Sequence, residues 1–298
     1  MFCYVILHYK NINDTKKCLD SIISTMSPSS RVVVVDNGSN DGSGEELKKE
    51  YASIKTDVLI LEDNVGFSKG NNAGFRFAKY KYAPDYIIFS NNDVVFYQND
   101  FEKTVENIYN EKKFDVLGPD VYIPKNEEHQ NPIFLKGITI QELSKELDEY
   151  KDYEKEPSRF KNRLRLHWLK NRLVSKNAVA RKLYSVIRKK DDINYRKEYE
   201  NVGLQGSCII ISKKYIQNED KMFEPEPFLY CEEEFLYYKC HDKGYKILYS
   251  PLIGIRHEEA ASFKNANRNE EERLKFMLRH HVESRKMLLG YLEAREHK

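Results

Sequence analysis

Residues 32–43 read VVVVDNGSNDGS. Four successive β-branched residues run into a carboxylate and then a turn-rich stretch, which predicts a buried strand closing at Asp36. An acid directly after such a strand lies at the carboxyl edge of a sheet, where open α/β folds form their ligand crevice. Gly38 and Gly42 allow the chain to turn sharply beside it. An ordinary polar turn between strand and helix would use the same residues, so Asp36 alone leaves both readings open. A dinucleotide-binding turn is disfavoured, because no G-x-G-x-x-G is present here.

Outward from this strand the alternation repeats. FCYVIL (2–7) is a short apolar run bounded by His8 and is expected to be a buried strand. Leu19, Ile22, Ile23 and Met26 recur at helical spacing over 14–26, with Asn13 or Asp14 as the cap. A helix near 43–51 and a strand VLIL (58–61) follow. The segment VGFSKGNNAGF (65–75) enters a helix ending near Lys81, and YIIFS (86–90) is a further strand. Strands alternating with short helices argue for an α/β fold whose mostly parallel central sheet is flanked by helices. The pattern returns at 203–211, 228–243 and 245–249, and 268–297 reads as one long helix.

The 298 residues carry 49 Lys+Arg against 47 Asp+Glu, a net charge of +2 that gives no global argument for nucleic acid. A hydrophobic content of 40% suits a globular chain with a real core, and no apolar run approaches the roughly 18 residues of a membrane span. MFCYVILHYK has neither a basic leader nor a small-residue cleavage site, so no signal peptide is expected. Five cysteines without a CxxC pair suit reduced thiols in a cytoplasmic protein.

The balance is uneven along the chain. Residues 155–198 hold 15 Lys/Arg against four acids, with Phe160, Leu164, Trp168, Leu169, Leu173, Val179, Leu183, Val186 and Ile187 mostly three or four apart. A basic amphipathic helical insert is expected. It is either a solvated surface or a docking element for anionic lipid headgroups, where each basic residue contributes roughly 1 kcal/mol. Nucleic acid fits it less well, because aromatic interleaving is sparse. The C-terminal helix would pack on the core or on a second subunit of a homo-oligomer.

Three further signals carry chemistry. Asn91-Asn92-Asp93 follows an apolar strand, so Asp93 either holds a hard divalent cation that also grips a diphosphate or is a solvated turn acid. Glu232-Glu233-Glu234 follow Cys231; mutual repulsion would raise one carboxyl toward a pKa suited to base work, and a helix start also favours such acids. His257, after the strand-like ILYSPLIGIR, would ligate a metal or contact phosphate, or serve the structure only.

In this order the signals resemble family 2 glycosyltransferases, inverting enzymes of the GT-A (nucleotide-diphospho-sugar transferase) fold, and within them the bacterial rhamnosyltransferase-like branch. The resemblance rests on 32–43, NVGFSKGNNAGF (64–75), YIIFSNNDVVF (86–96), GSCIIIS (206–212), 228–251 and IRHEEAASF (255–263). It implies that Asp36 binds the base or ribose of an NDP-sugar, that His8 and Tyr9 line the same pocket, and that Asp63 and Asn64 follow at the next strand edge. Gly66, Gly70 and Asn71 match the glycine/asparagine segment beside the donor. Asn92 and Asp93 stand in the metal-binding motif, where Asp93 is the one carboxylate, and His257 completes the Mn2+ or Mg2+ and diphosphate site. Glu233 corresponds to the general base and Glu232 to the acid before it. Glu233 stands where the family usually has Asp, Phe235 where the branch usually has an acid, and Lys239 where Arg is frequent.

The implied organisation is a nucleotide-sugar-binding half (1–124), a charged helical insert (125–200), an acceptor and catalytic half (201–265) and a C-terminal helix (266–298). The implied reaction transfers sugar from a UDP- or dTDP-sugar to a hydroxyl of a saccharide or lipid-linked acceptor in cell-surface polysaccharide assembly. Its place would be the cytoplasm or the cytoplasmic membrane face. Two rivals remain at this level. A sugar nucleotidyltransferase would need a Gly-rich basic phosphate loop that HYKNINDT (8–15) does not supply. A catalytically degenerate GT-A protein binding lipid or glycan is allowed by the missing motif acids.

Overall fold

The computed structural model describes residues 1–53, 55–125, 127–175, 193–258 and 269–297. It divides into one unit of residues 1–137 and 195–266 and another of residues 138–194 and 267–298. The first unit opens with β1 (Phe2–His8), α1 (Ile12–Thr25), β2 (Arg31–Asp36), α2 (Ser43–Tyr51), β3 (Thr56–Ile60), α3 (Phe67–Tyr82) and β4 (Tyr86–Asn91). It continues through β5 (Val94–Val95), α4 (Phe101–Lys112), β6 (Val116–Ile123) and β7 (Glu128–His129). The second unit holds α5 (Ile140–Lys155) and α6 (Pro157–Ser175). The first resumes with β8 (Tyr199–Glu200), β9 (Cys208–Ser212), α7 (Lys213–Asn218), α8 (Glu232–Lys243) and β10 (Ile247–His257), and α9 (Glu270–Glu296) returns to the second.

The central sheet runs β3-β2-β1-β4-β9-β6-β10-β5. Strands β3, β2, β1 and β4 are mutually parallel, and β2, β1 and β4 are nearly continuous apolar runs buried on both faces, as strands of a parallel sheet tend to be. The sheet is mixed beyond them, because β9 lies antiparallel between β4 and β6 while β6 and β10 pair in parallel. One face buries Tyr4, Ile6, Val32, Val34 and Ile88, and the other buries Val5, Val33, Val35, Phe75 and Phe89, so alternate residues of single strands feed two cores. A Cβ at Gly74 would stand 2.3 Å from Val5 Cγ1 and one at Gly70 2.6 Å from Leu7 Cδ1. The two glycines thus bring α3 down onto β1 and β2. All five cysteines are buried thiols that form no disulfide.

The second unit is helical. Thr139 caps α5 through a reciprocal pair with Glu142. Leu143, Leu147, Phe160, Leu278 and Val282 are buried in it. Arg285 of α9 pairs with Glu146 at 3.2 Å and lies 4.0 Å over the Tyr150 ring. The helices expected separately at 125–200 and 266–298 therefore form one unit, and residues 125–137 belong to the sheet unit. Within the basic insert, Val179, Leu183, Val186 and Ile187 lie outside the described residues, as do the side chains of Trp168, Leu169 and Leu173.

Candidate functional site

Strands β2 and β3 lie on one side of β1 and β4 on the other, so the chain reverses its order at β1. A crevice opens at the carboxyl ends of strands beside such a switch point. Register places His8 opposite Asp36 and Leu7 opposite Asn91, which lines these strand ends along one edge.

His8 is fully buried, with Nδ1 2.7 Å from Thr15 Oγ1 and Nε2 2.8 Å from Ser43 Oγ. Burial pushes its pKa down, against the opposing pull of Asp36 and Asp41. Both ring nitrogens are engaged by hydroxyls, and through them the ring ties α1 and α2 to the strand edge. Tyr9, next in the chain, is half-buried. Asp36 is buried, with Oδ1 accepting from the backbone N–H of Ser39 at 3.1 Å and from its hydroxyl. Its Oδ2 occupies the space of a Gly44 side chain, since a Cβ there would stand 2.1 Å away. Asp36 thus organises the turn into α2, the start of a helix where a carboxylate is favoured.

Asp63 is exposed and Asn64 half-buried. Asn64 Oδ1 accepts from Gly66 N (2.9 Å) and Asn37 Nδ2 (3.1 Å), while Asn37 Oδ1 accepts from Val65 N (3.1 Å). Asn37 was not singled out in the sequence, yet it binds the Asp36 turn to the glycine segment. Gly66 has φ +86°, and a Cβ on it would meet Phe228 O at 2.5 Å, so the segment also touches the loop before α8. Asn71 donates to Phe67 O within α3 (3.0 Å). Its neighbour Asn72, also unanticipated, uses Oδ1 for Met222 N and Phe223 N and Nδ2 for Phe223 O and Glu226.

Asn92 Nδ2 donates to Thr15 Oγ1 at 2.9 Å, so it steadies α1. Asp93 leads into β5, whose two residues pair antiparallel with Arg256 and His257. That pairing sets Asp93 Oδ1 3.3 Å from His257 Nε2, with both side chains largely buried. His257 Nδ1 lies 3.1 Å from Gln130 Oε1. Among the described residues no group of three or more His, Cys, Asp or Glu gathers to cage a metal ion. Two protein groups suit a hard cation completed by diphosphate and water oxygens. In the neutral tautomer that donates Nδ1–H to Gln130, Nε2 would turn its lone pair to a carboxylate oxygen, an arrangement that a cation between them would satisfy.

Helix α8 starts from Cys231 in the left-handed conformation, φ +64°, and sets Glu232, Glu233 and Glu234 in its first turn. Glu232 is buried and its Oε1 has no hydrogen-bond partner. Desolvation, reinforced by Glu233, pushes its carboxyl well above the ordinary range. Half-buried Glu233 is pushed up by desolvation and held back by the backbone N–H groups it accepts from, Gly206 N at 3.2 Å among them. Ser207 O in turn accepts from Asn91 N at 2.9 Å. Two bonds therefore link Glu233 to the Asn91–Asp93 edge. Phe235 is fully buried in the core, and Lys239 is a buried partner of Glu219.

The sheet order, its switch point and the acids at the carboxyl edge define the GT-A class of α/β fold. A model of glycosyl transferase family 2 matches residues 3–184. The chain belongs to that family. Glycosyltransferase GlyA of Streptococcus pneumoniae serotype 4 is 31% identical over 134 residues, 40% of this chain and 19% of that protein. The chain thus spans about a fifth of the length of this curated relative. Among solved structures, S. aureus TarS 1-349 superposes with a TM-score of 0.52 at 15% identity, covering 95% of this chain and 71% of that one. The same protein in complex with UDP-GlcNAc gives 0.53 at 14% identity, covering 98% and 71%. GalNAc-T7 with UDP, GalNAc and Mn2+ gives 0.51 at 12% identity, covering 87% and 43%. At these identities the likeness shows the fold.

Proposed function

We propose that the chain is an inverting glycosyltransferase moving a sugar from a UDP- or dTDP-linked donor to a hydroxyl of a saccharide or lipid-linked acceptor. The reading is carried by one observation: the Asp93–His257 pair and the Glu232–Glu233 pair meet the same strand edge, joined through Gly206 and Ser207. Solved relatives in the fold bind UDP, UDP-GlcNAc and Mn2+, which supports the same donor chemistry for this edge.

Asp93 and His257 would hold a divalent ion, Mn2+ or Mg2+, which when bound neutralises charge on the departing diphosphate. Glu233 takes the proton of the attacking hydroxyl, a contribution of about 10²–10⁴-fold. Burial pushes Glu232 up more strongly than Glu233, whose oxygens accept from backbone N–H groups, so of the two Glu233 is the one that more readily carries the charge. A base opposite the leaving group delivers the acceptor to the far face of the anomeric carbon, so configuration inverts. Asp36, Tyr9, Asp63 and Asn64 would flank the donor's nucleoside, and the segment of Gly66, Gly70 and Asn71 would pack beside the donor. A place in cell-surface polysaccharide assembly follows from such an acceptor, with residues 155–198 docking peripherally on the anionic cytoplasmic face. No helix among the described residues is long and apolar enough to cross a membrane.

Incubation with Mn2+ and a panel of UDP- and dTDP-sugars tests this. Release of the nucleoside diphosphate that Glu233→Gln abolishes is expected; turnover of no donor, or turnover unaffected by Glu233→Gln, overturns the catalytic reading. Binding to anionic vesicles that deletion of 155–198 removes is expected, and binding unchanged by that deletion overturns the docking role.

A further inference from the structure

We propose that Gln130 is a positioning residue for the metal and diphosphate site, acting through His257. The proposal rests on the reading of Asp93 and His257 above and names what makes that histidine a ligand. An imidazole ligates only through a nitrogen that carries no proton, and the partner of the other nitrogen decides which one that is. His257 Nδ1 faces the carbonyl oxygen of the Gln130 side chain at 3.1 Å. A carbonyl oxygen only accepts, so Nδ1 carries a proton, and in the neutral ring Nε2 then presents its lone pair toward Asp93 Oδ1. The reverse amide orientation would put the proton on Nε2, bond it to Asp93 and close the pair to a cation.

The surroundings hold Gln130 in place. Strands β7 and β10 flank β6, since Tyr122 pairs with both His129 and Arg256. Gln130 N donates to Val121 O at 2.8 Å, so its side chain meets His257 from the opposite side of that strand. The residues on either side are fixed independently. His129 Nδ1 lies 2.8 Å from Asp120 Oδ1, and its ring stacks on Tyr195 at 3.5 Å. Asn131 Nδ2 donates to Pro119 O, and its Oδ1 accepts from Gln205 N, both at 2.8 Å. These anchors fix the backbone from which the Gln130 side chain reaches His257.

The test compares the full-length chain with Gln130→Met, which keeps length without a carbonyl acceptor, and Gln130→Glu, which keeps an acceptor. Mn2+ affinity is read from the free-ion electron paramagnetic resonance signal, with and without UDP. The His257 ring-nitrogen shifts, assigned by their loss in His257→Gln, report the tautomer without metal. Gln130→Met should weaken Mn2+ binding about 10–100-fold and lose the Nδ1–H pattern, while Gln130→Glu retains both. A residue that only fills space would give the reverse, with Met silent and Glu disruptive. Wild-type Mn2+ binding left unchanged by Gln130→Met, or an Nε2–H tautomer in the wild type, overturns this inference alone. No Mn2+ binding by the wild type overturns the metal reading of Asp93 and His257 and this inference with it.

Discussion

Replacing Glu232 and Glu233 by glutamine, one at a time, should separate two adjacent acids of the same helical turn. Glu232 Oε1 is buried with no partner, and desolvation keeps that carboxyl protonated above the usual range. Glutamine copies a protonated carboxyl in shape and charge, so Glu232→Gln should stay short of the ~10²-fold loss that marks a general base. If Glu233 is the base proposed above, Glu233→Gln costs about 10²–10⁴-fold, or roughly 2.7–5.4 kcal/mol of barrier.

Stability adds a second readout with a definite sign. The folded pKa of Glu232 lies above its unfolded value, about 4.3. Between the two, the folded state holds a proton that the unfolded state has released. Stability is therefore fully present below about pH 4.3 and falls as pH rises through the folded value, by up to about 1.4 kcal/mol per pH unit. Glu232→Gln cannot lose that proton and should flatten the decline. Urea unfolding at pH 5 and pH 8, beside single-turnover rates for both variants, decides the matter. A Glu232→Gln variant that loses activity like Glu233→Gln, or keeps the wild-type pH slope, refutes the assignment.

Other consequences can be checked directly. Gly74→Ala places a methyl 2.3 Å from Val5 Cγ1 and 2.9 Å from Val35 Cγ2. The overlap, about 1–3 kcal/mol, should outweigh the helix-propensity gain of up to about 1 kcal/mol, giving a lower urea midpoint. Asn72→Ala leaves the N–H groups of Met222 and Phe223 and the carbonyl of Phe223 without their side-chain partner. At about 1–3 kcal/mol for each buried orphan, a loss of at least ~3 kcal/mol is expected by the same assay. Glu219 sits between Lys239 at 2.9 Å and Lys243 at 2.7 Å; burial pushes its carboxyl up, and the two ammonium groups outweigh that and bring it below the usual range. Its stabilisation is present above the unfolded carboxylate pKa and lost as pH falls through the folded one. Glu219→Ala strands the buried Lys239 and should lower stability by about 3–5 kcal/mol near neutral pH, measured as a fall in Tm.

The parallel half of the sheet was legible because strands covered on both faces need apolar residues at every position, and VVVVD and YIIFS supply them. Strand direction was not, since CIIIS reads the same either way and only its pairing with Ile87–Tyr86 and Leu117–Val116 shows β9 antiparallel. Strand β6 was hidden by Gly118-Pro119 in its middle. Within the candidate site, the placement of Asp36, Asp93 and Glu232–Glu234 at strand and helix ends was legible in the sequence. The hydroxyl partners of His8 were not legible, because a polar residue closing a strand looks alike whether it meets a ligand or the hydroxyls of neighbouring helices. Asn37, Asn72 and Gln130 left no local signal: their partners lie 27, 150 and 127 residues away. An amide used for such a contact is indistinguishable in sequence from one facing water.

Strand β5 is two residues long, and its partners Arg256 and His257 stand more than 160 positions further along the chain. Closing so long a loop for so few hydrogen bonds is unfavourable until the sheet between them exists. The Asp93–His257 pair should accordingly form late in folding and open early, by local fraying of β5 from β10 with the cores intact. On the proposed metal reading, Mn2+ affinity would then report the completion of folding, and changes near either end of that short ladder would weaken it while leaving the melting temperature nearly untouched.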